Sequence, residues 1–201
     1  STNLGYLAYQ LNQSPDHPEY AEMFAEKLVM LQPESPRNKY ELAKIWEKKG
    51  ETSQALDLMS SVAPVDRPGF AKAHIWLANF YIRSDSDVEG SPSEELIRRH
   101  LDLALKTSPD NQFAHFTLAN LGMAAMKELD DGSEEYQAKQ NVVVEHLTTI
   151  SDAPFTPEGI DLQLAVIPKL LELQLEMGNE EGAKKRLQDE LFRLGDLADR
   201  L

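Results

Sequence analysis

The sequence predicts an all-α protein, built as a solenoid of about five αα-hairpins. Three observations carry this prediction. Helix-capping signals recur along the chain, no stretch alternates apolar and polar residues over any length, and one heptapeptide occurs twice, as AHIWLAN at 73–79 and AHFTLAN at 114–120. Sustained alternation would indicate strands, whereas capped segments with a period of about 3.6 residues indicate helices.

Start and stop signals place the helices. Ser35-Pro36, Ser91-Pro92 and Thr156-Pro157 each set a capping hydroxyl before a proline that suits the first helical position. Ser91 also forms a capping box with Glu94, three residues later. Stops are predicted at three glycines, Gly50, Gly178 and Gly195. Ten helices follow, over about 2–12, 18–31, 36–49, 53–63, 70–83, 92–107, 111–128, 133–150, 157–177 and 180–194.

Short connections make consecutive helices antiparallel neighbours. The predicted hairpins span about 2–31, 36–63, 70–107, 111–150 and 157–194. Within the repeated heptapeptide, His74, Leu77 and Ala78 lie on one helix face at spacings i, i+3 and i+4, and His115, Leu118 and Ala119 repeat that face. A third copy has Leu42 and Ala43. Such a hairpin cannot bury its apolar stripe alone and stacks on copies of itself.

The repeat resembles the tetratricopeptide repeat (TPR) family, whose unit reads W-x2-L-G-x2-Y, then A-x3-F, then P. AHIWLANFY places Leu77, Ala78 and Tyr81 on family positions, and LDLALKTSPDN is similar to the family's second-helix ending. The resemblance implies a right-handed superhelix and a single TPR-like domain over 1–201. Two departures are Gly122, which stands where the family has an aromatic residue, and Pro168, which is expected to kink its helix near Leu164.

Composition excludes several classes of protein. The chain has 201 residues, a formal net charge of −14 and no cysteine. Without clustered Lys and Arg, neither nucleic acid nor an anionic membrane surface is an expected partner. No apolar run is long enough for membrane insertion, and disulfides and thiolate metal sites are excluded. The lack of a signal-peptide pattern favours a soluble, cytoplasmic protein over a secreted one, although the compartment otherwise stays open.

No catalytic or metal motif stands out, so neither an enzyme nor a cofactor is predicted. Asp85, Asp87 and Glu89 match three ligand positions of an EF-hand loop, but Leu96 occupies the position that needs a bidentate Glu. A solvated acidic insertion is therefore the favoured interpretation. None of the five histidines shows the i, i+4 pairing of a helical zinc site, and His74 and His115 are expected to pack about 10 Å apart on adjacent stacked helices.

The first-helix face opposite the apolar stripe is not plainly polar. Residues 37–49 hold five Lys or Arg against two Glu, and the next two first helices carry aromatic and apolar side chains there. The TPR resemblance implies that this face lines a concave groove, with Asn79 and Asn120 bonding an extended peptide or simply solvating the groove. The predicted groove residues are Arg37, Tyr40, Lys44, Lys48, Lys72, Trp76, Asn79, Arg83, Phe113, Phe116 and Asn120.

These observations predict a non-catalytic protein–protein interaction module. Its expected ligand is a protein or peptide segment with an acidic end followed by apolar anchors. The alternative is a structural scaffold. The chain would then be a fragment of a larger protein, with or without a catalytic domain elsewhere. Its face would then pack against another domain of the same chain or against a second copy as a homo-oligomer. A chain that begins at Ser1 rather than Met, and that ends without a polar capping helix, favours this alternative.

Overall fold

The computed structural model describes residues 18–83, 93–156 and 159–198, and all regular secondary structure in those ranges is helical. The chain divides into two compact units, Ser1–Pro109 and Asp110–Leu201. We refer to them as unit 1 and unit 2. The all-α prediction is confirmed, whereas a single domain over 1–201 stays a prediction.

Each described helix packs against the next one within its unit. Unit 1 contains α1 (Pro18–Leu31), α2 (Pro36–Lys49), α3 (Thr52–Val62), α4 (Ala71–Arg83) and α5 (Glu94–Thr107). Unit 2 contains α6 (Gln112–Met126), α7 (Glu134–Asp152), α8 (Ile160–Glu176) and α9 (Glu180–Ala198). These helices correspond to nine of the ten predicted ones. The predicted helix over 2–12 lies outside the described residues.

Helix α2 begins and ends where its capping residues predict. The Ser35 hydroxyl accepts a hydrogen bond from the Asn38 backbone N–H at 3.3 Å, and Pro36 occupies the first helical position. At the other end, Gly50 adopts a left-handed conformation with φ of 82°. Residues with a Cβ rarely adopt that backbone, so this glycine closes the helix.

Two predicted starts are wrong by two or three residues. Helix α5 begins at Glu94 instead of 92, because Ser93 is the capping residue and its hydroxyl accepts from the Leu96 N–H at 3.2 Å. Ser91 lies outside the described residues. Helix α8 begins at Ile160 instead of 157, and the Thr156 hydroxyl accepts from the Gly159 N–H at 3.1 Å in the preceding turn.

The predicted stop near Gly195 is also wrong, because α9 continues to Ala198. Among the described glycines, positive φ angles occur at Gly50, Gly132 and Gly178 alone. Gly195 therefore keeps a helical backbone, at a cost of about 1 kcal/mol relative to Ala. Pro168 lies inside α8 as expected, and the kink near Leu164 stays a prediction.

The repeated leucine–alanine pairs form the core, as the heptapeptide predicts. Leu77 and Ala78 are fully buried, and Leu42 and Leu118 are 3% and 5% exposed. In unit 1 the larger core cluster contains Ala43, Ala55, Met59, Ala63, Ala73, Trp76 and Leu77. In unit 2 the core cluster contains Ala119, Met126, Val143, Leu147, Ile150, Val166, Leu170 and Leu173.

A buried ionic cluster holds the last helix of unit 2. Glu190 on α9 is 2% exposed and accepts a hydrogen bond from the Ser151 hydroxyl at the end of α7. Arg193 pairs with the same carboxylate at 3.1 Å and also donates to the Ala153 carbonyl at 2.7 Å. A buried charge that is paired and hydrogen-bonded in this way does not carry the penalty of an isolated one.

Candidate interaction surface

Eight of the predicted groove residues lie on two neighbouring helices of unit 1. Arg37, Tyr40, Lys44 and Lys48 are on α2, and Lys72, Trp76, Asn79 and Arg83 are on α4. We call this set the α2–α4 face. At its start, the Tyr40 ring meets Phe70 edge-on, with centroids 5.5 Å apart.

Glu47 connects the other end of the α2–α4 face. Its carboxylate accepts from the Trp76 indole N–H at 2.7 Å and from the Arg83 guanidinium at 3.0 Å. Arg83 also donates to the Asn79 backbone carbonyl at 3.2 Å. Glu47 shares the helical face of Tyr40 and Lys44 in the sequence, yet the predicted groove set omitted it. An acidic residue among cations on one helix face was the signal that could have found it.

Trp76 contributes to the floor of this face more than to its surface. It is 8% exposed, belongs to the unit 1 core cluster and stacks on Phe80 with ring centroids 5.2 Å apart. A second indole is held in the same way, because Trp46 donates to the Glu22 carboxylate at 3.1 Å. Part of the apolar character predicted for this face is therefore packing between helices.

The cations of the α2–α4 face fall into two groups. Arg83 is neutralised by Glu47, and the neighbouring Lys49 pairs with Glu22 at 2.7 Å and with Glu51 at 2.9 Å. The hydrogen bond to Glu22 is the main cause of the raised pKa of Lys49. The second group has three cations that form no ion pair with a carboxylate within the part of the chain that the structure describes. They are Arg37, Lys44 and Lys72.

Tyr40 lies next to one of these cations, Lys44. Lys44 places its ammonium 5.7 Å from the centroid of the Tyr40 ring, within the range of a cation–π contact. Burial, and then the charges of Glu41 and Glu47, raise the pKa of Tyr40 to about 12. Like an ordinary tyrosine, the phenol is protonated at neutral pH, and it can donate a hydrogen bond to an anionic ligand.

The other three predicted groove residues belong to α6 in unit 2. Phe113 is 52% exposed, whereas Phe116 packs against the unit 2 core. Asn120 is exposed and lines a cleft of about 460 Å³ together with Met123 and Lys169.

An adjoining cleft of about 600 Å³ shares three lining residues with the first, Asp131, Tyr136 and Glu176. Burial, followed by the charges of Glu176 and Asp131, raises the pKa of Tyr136. Gln140 donates to the Glu176 carboxylate at 3.2 Å, which orients that side chain. The 460 Å³ cleft is lined by charges of both signs, whereas the charged residues that line the 600 Å³ cleft, Asp131 and Glu176, are both acidic.

Metal-ligating residues do not gather in the described ranges, which hold no cluster of three or more His, Asp or Glu side chains able to bind an ion. Residues 84–92, with most of the acidic EF-hand-like stretch, lie outside those ranges. Of the helices that the structure describes, none has both the length and the apolar character to cross a bilayer.

The four histidines in the described ranges form two pairs that the sequence did not reveal. His74 and His115 are buried, as predicted. Each ring, however, meets a second imidazole on the other helix of its own hairpin, in the pairs His74–His100 and His115–His146. Those partners are 26 and 31 residues away, so the two pairs do not share a sequence spacing.

Several solved structures have a similar fold. The human IFIT1 dimer with m7Gppp-AAAA matches with a TM-score of 0.51 and 17% identity, covering 93% of this chain and 40% of that one. Crystal structures of MamA match with TM-scores of 0.54 and 0.55 at 13% and 15% identity, covering 99% and 94% of this chain and 96% and 95% of theirs.

This chain thus spans about 40% of the IFIT1 chain that it matches. No protein-family model matches the chain, and no curated protein sequence matches it significantly. Both structural neighbours are TPR-containing helical repeat proteins. At these identities the likeness concerns the fold, and by that measure the chain is a TPR-like helical-repeat protein.

Proposed function

We propose that the chain is a non-catalytic interaction module whose α2–α4 face binds an acidic segment of a protein partner. The observation that carries this proposal is the set Arg37, Lys44 and Lys72, which form no ion pairs within the described residues. In a chain with a net charge of −14, carboxylates are plentiful. Unpaired cations on one face of such a chain complement an acidic ligand and favour its encounter.

Tyr40 adds directional recognition to this charge. A carboxylate accepts hydrogen bonds only, and the protonated Tyr40 phenol is a donor next to the Lys44 ammonium. Arg37 and Lys72 are exposed, so both can reach a ligand without rearrangement of the helices. The face therefore supplies ammonium, guanidinium and hydroxyl donors for a segment rich in Asp or Glu.

Nucleic acid is the competing ligand class, because the same cations would attract phosphate. One structural neighbour, the human IFIT1 dimer, was solved with m7Gppp-AAAA. Nucleic-acid binding gains most of its affinity from many Lys and Arg contacts to phosphates. The net charge of −14 opposes a polyanion that needs many such contacts along its length, whereas a short acidic segment can bind through the three cations of one face.

The test measures binding of a fluorescent peptide of about ten residues that alternates Glu and Leu, with a Lys–Leu peptide for comparison. The face variant combines Arg37→Glu, Lys44→Glu and Lys72→Glu. The matched control combines Lys106→Glu, Lys184→Glu and Lys185→Glu, which changes the net charge equally at exposed sites elsewhere. We expect the face variant to weaken binding of the acidic peptide roughly tenfold or more, because three favourable charge contacts become repulsive.

The control should bind as the wild type does, and the melting temperatures of all three proteins should agree within a few degrees. Equal weakening in the face variant and the control would refute the proposal, since net charge alone would explain it. Tighter binding of m7Gppp-AAAA than of the acidic peptide at physiological salt would also refute it, in favour of RNA.

A further inference from the structure

The His74–His100 pair joins the two helices of a hairpin through a buried hydrogen bond. His74 on α4 is fully buried and His100 on α5 is 3% exposed. Their Nδ1 atoms are 2.8 Å apart, and their ring centroids are 5.1 Å apart. At that distance one Nδ1–H donates to the other Nδ1, which requires that the accepting ring be neutral.

The same arrangement occurs in unit 2. The Nδ1 atoms of His115 on α6 and His146 on α7 are 2.9 Å apart, with ring centroids at 5.1 Å. Two hairpins thus use one contact between imidazoles to join their helices. Neither pair is used by the proposed acidic-segment binding, which involves the opposite face of the first helices.

We propose that the His74–His100 pair is an acid-sensitive latch that holds α4 to α5 while both rings are neutral and releases them when both are protonated. The first added proton can leave the N–H···N bond in place, but it puts a charge into a buried site. The second removes the last acceptor and sets two cations 2.8 Å apart. Both changes favour the separated helices, where water solvates each imidazolium.

The surroundings of the pair do not neutralise an added charge. The Tyr81 ring lies 5.8 Å from His100, and burial raises the pKa of its phenol, which stays neutral in acid. The Arg67 backbone carbonyl faces His74. Next to His100, Arg99 donates to the Val65 carbonyl at 3.3 Å. Among the described residues, no carboxylate hydrogen-bonds either imidazole.

The direction of the pH effect follows from linkage. Burial, and then the charge of His100, lower the pKa of His74 to about 4, and burial lowers the pKa of His100. In an opened chain each histidine has a pKa of about 6.5. Opening therefore takes up protons, so the latch is complete above about pH 6.5 and is lost as the pH falls toward 4. Between pH 7.5 and 5.0, His74 alone accounts for roughly a 25-fold change in the open-to-closed ratio.

The test compares amide hydrogen-exchange protection of α4 and α5 in the full chain at pH 7.5 and 5.0, after correction for intrinsic exchange. In the wild type we expect protection to fall at pH 5.0 by roughly tenfold or more. The double variant His74→Gln/His100→Gln keeps hydrogen-bonding groups that do not titrate, and His74→Phe/His100→Phe serves if the first fails to fold. The decrease should be largely missing in either double variant.

Leu101→Ala is the matched control. Leu101 is fully buried next to His100, so this variant loses packing at both pH values and should keep the wild-type pH dependence. An independent readout is the imidazole ¹⁵N spectrum, in which His74 should stay neutral at pH 5.5. The latch is refuted if both double variants retain the wild-type pH dependence, if Leu101→Ala loses it, or if His74 titrates near pH 6.5.

Discussion

At the scale of single residues, Glu47 determines how the α2–α4 face is built. One carboxylate accepts from the Trp76 indole and from the Arg83 guanidinium, and it lies on the helix that also carries Lys44. Hydrogen bonds to an ionised acceptor are about twice as strong as neutral ones. Glu47 thus neutralises Arg83, whereas Arg37, Lys44 and Lys72 form no ion pair with a carboxylate among the described residues.

Replacing Glu47 tests this role. We expect Glu47→Ala to lower the free energy of unfolding by about 1–3 kcal/mol, because the Trp76 N–H loses its acceptor in a buried position. Glu47→Gln should cost less, since an amide oxygen still accepts from the indole. Urea unfolding followed by circular dichroism measures both. Glu172→Ala, which breaks an exposed pair with Lys169, should cost at most about 1 kcal/mol. An equal loss from Glu47→Ala and Glu172→Ala would contradict this role.

At the scale of helices, local signals predicted both ends of α2 but only the start of α9. Ser35, Pro36 and Gly50 act through hydrogen bonds and backbone angles within one turn. Their effect can therefore be predicted from the local sequence. Gly195 is the same residue type as Gly50 but keeps a helical backbone, because a glycine permits a left-handed turn without requiring one. Whether it turns depends on the chain that follows.

Contacts between helices could not be predicted in the same way. The buried positions of His74 and His115 follow from the apolar period, and the structure confirms them. Their partners, His100 and His146, depend on how far each second helix is shifted along the first. Because the loops differ in length, that shift cannot be predicted from the sequence. Glu47 is a different case, because its place beside Tyr40 and Lys44 was visible in the sequence and only its partners on α4 were not.

Gly122 marks a close approach between α6 and α7. A Cβ at this position would lie 2.5 Å from Cγ2 of Val143, a fully buried side chain. The aromatic residue that the TPR family has at this position therefore has no space here. The departure seen in the sequence has a steric cause.

The substitution Gly122→Ala measures this approach. Crowding against Val143 should cost about 1–3 kcal/mol, partly offset by the higher helix propensity of Ala, which contributes up to about 1 kcal/mol. In a Val143→Ala background the steric cost of the added Cβ should vanish. Gly122→Ala should then raise the free energy of unfolding by the helix-propensity contribution alone. Urea unfolding of the two single variants and the double variant gives the coupling free energy. Additive effects within about 0.5 kcal/mol would show that the helices do not meet there.

At the scale of the whole molecule, each unit has its own buried cluster. Leu77 belongs to the cluster of unit 1 and Leu147 to that of unit 2. Helical-repeat proteins derive their stability from such local contacts, so parts of one chain can open separately. Subglobal opening is measurable as the protection of individual amides.

We expect Leu147→Ala, a substitution in unit 2, to destabilise α6, α7 and α8 by about 2–5 kcal/mol. The amides of α2, α3 and α4 should keep their protection, and Leu77→Ala should give the reverse pattern. Hydrogen exchange followed by mass spectrometry of peptides from each unit makes the measurement. A uniform loss across both units in either variant would indicate a single cooperative body.

The carboxylate-bound indoles have an optical consequence. Both tryptophans of the chain, Trp46 and Trp76, lie in unit 1, and their N–H groups are held by Glu22 and Glu47. The wavelength of indole fluorescence depends on nearby charge and water. Tryptophan fluorescence therefore reports, without a label, on the packing of α1, α2 and α4. Unit 2 contains no tryptophan and does not contribute to this fluorescence.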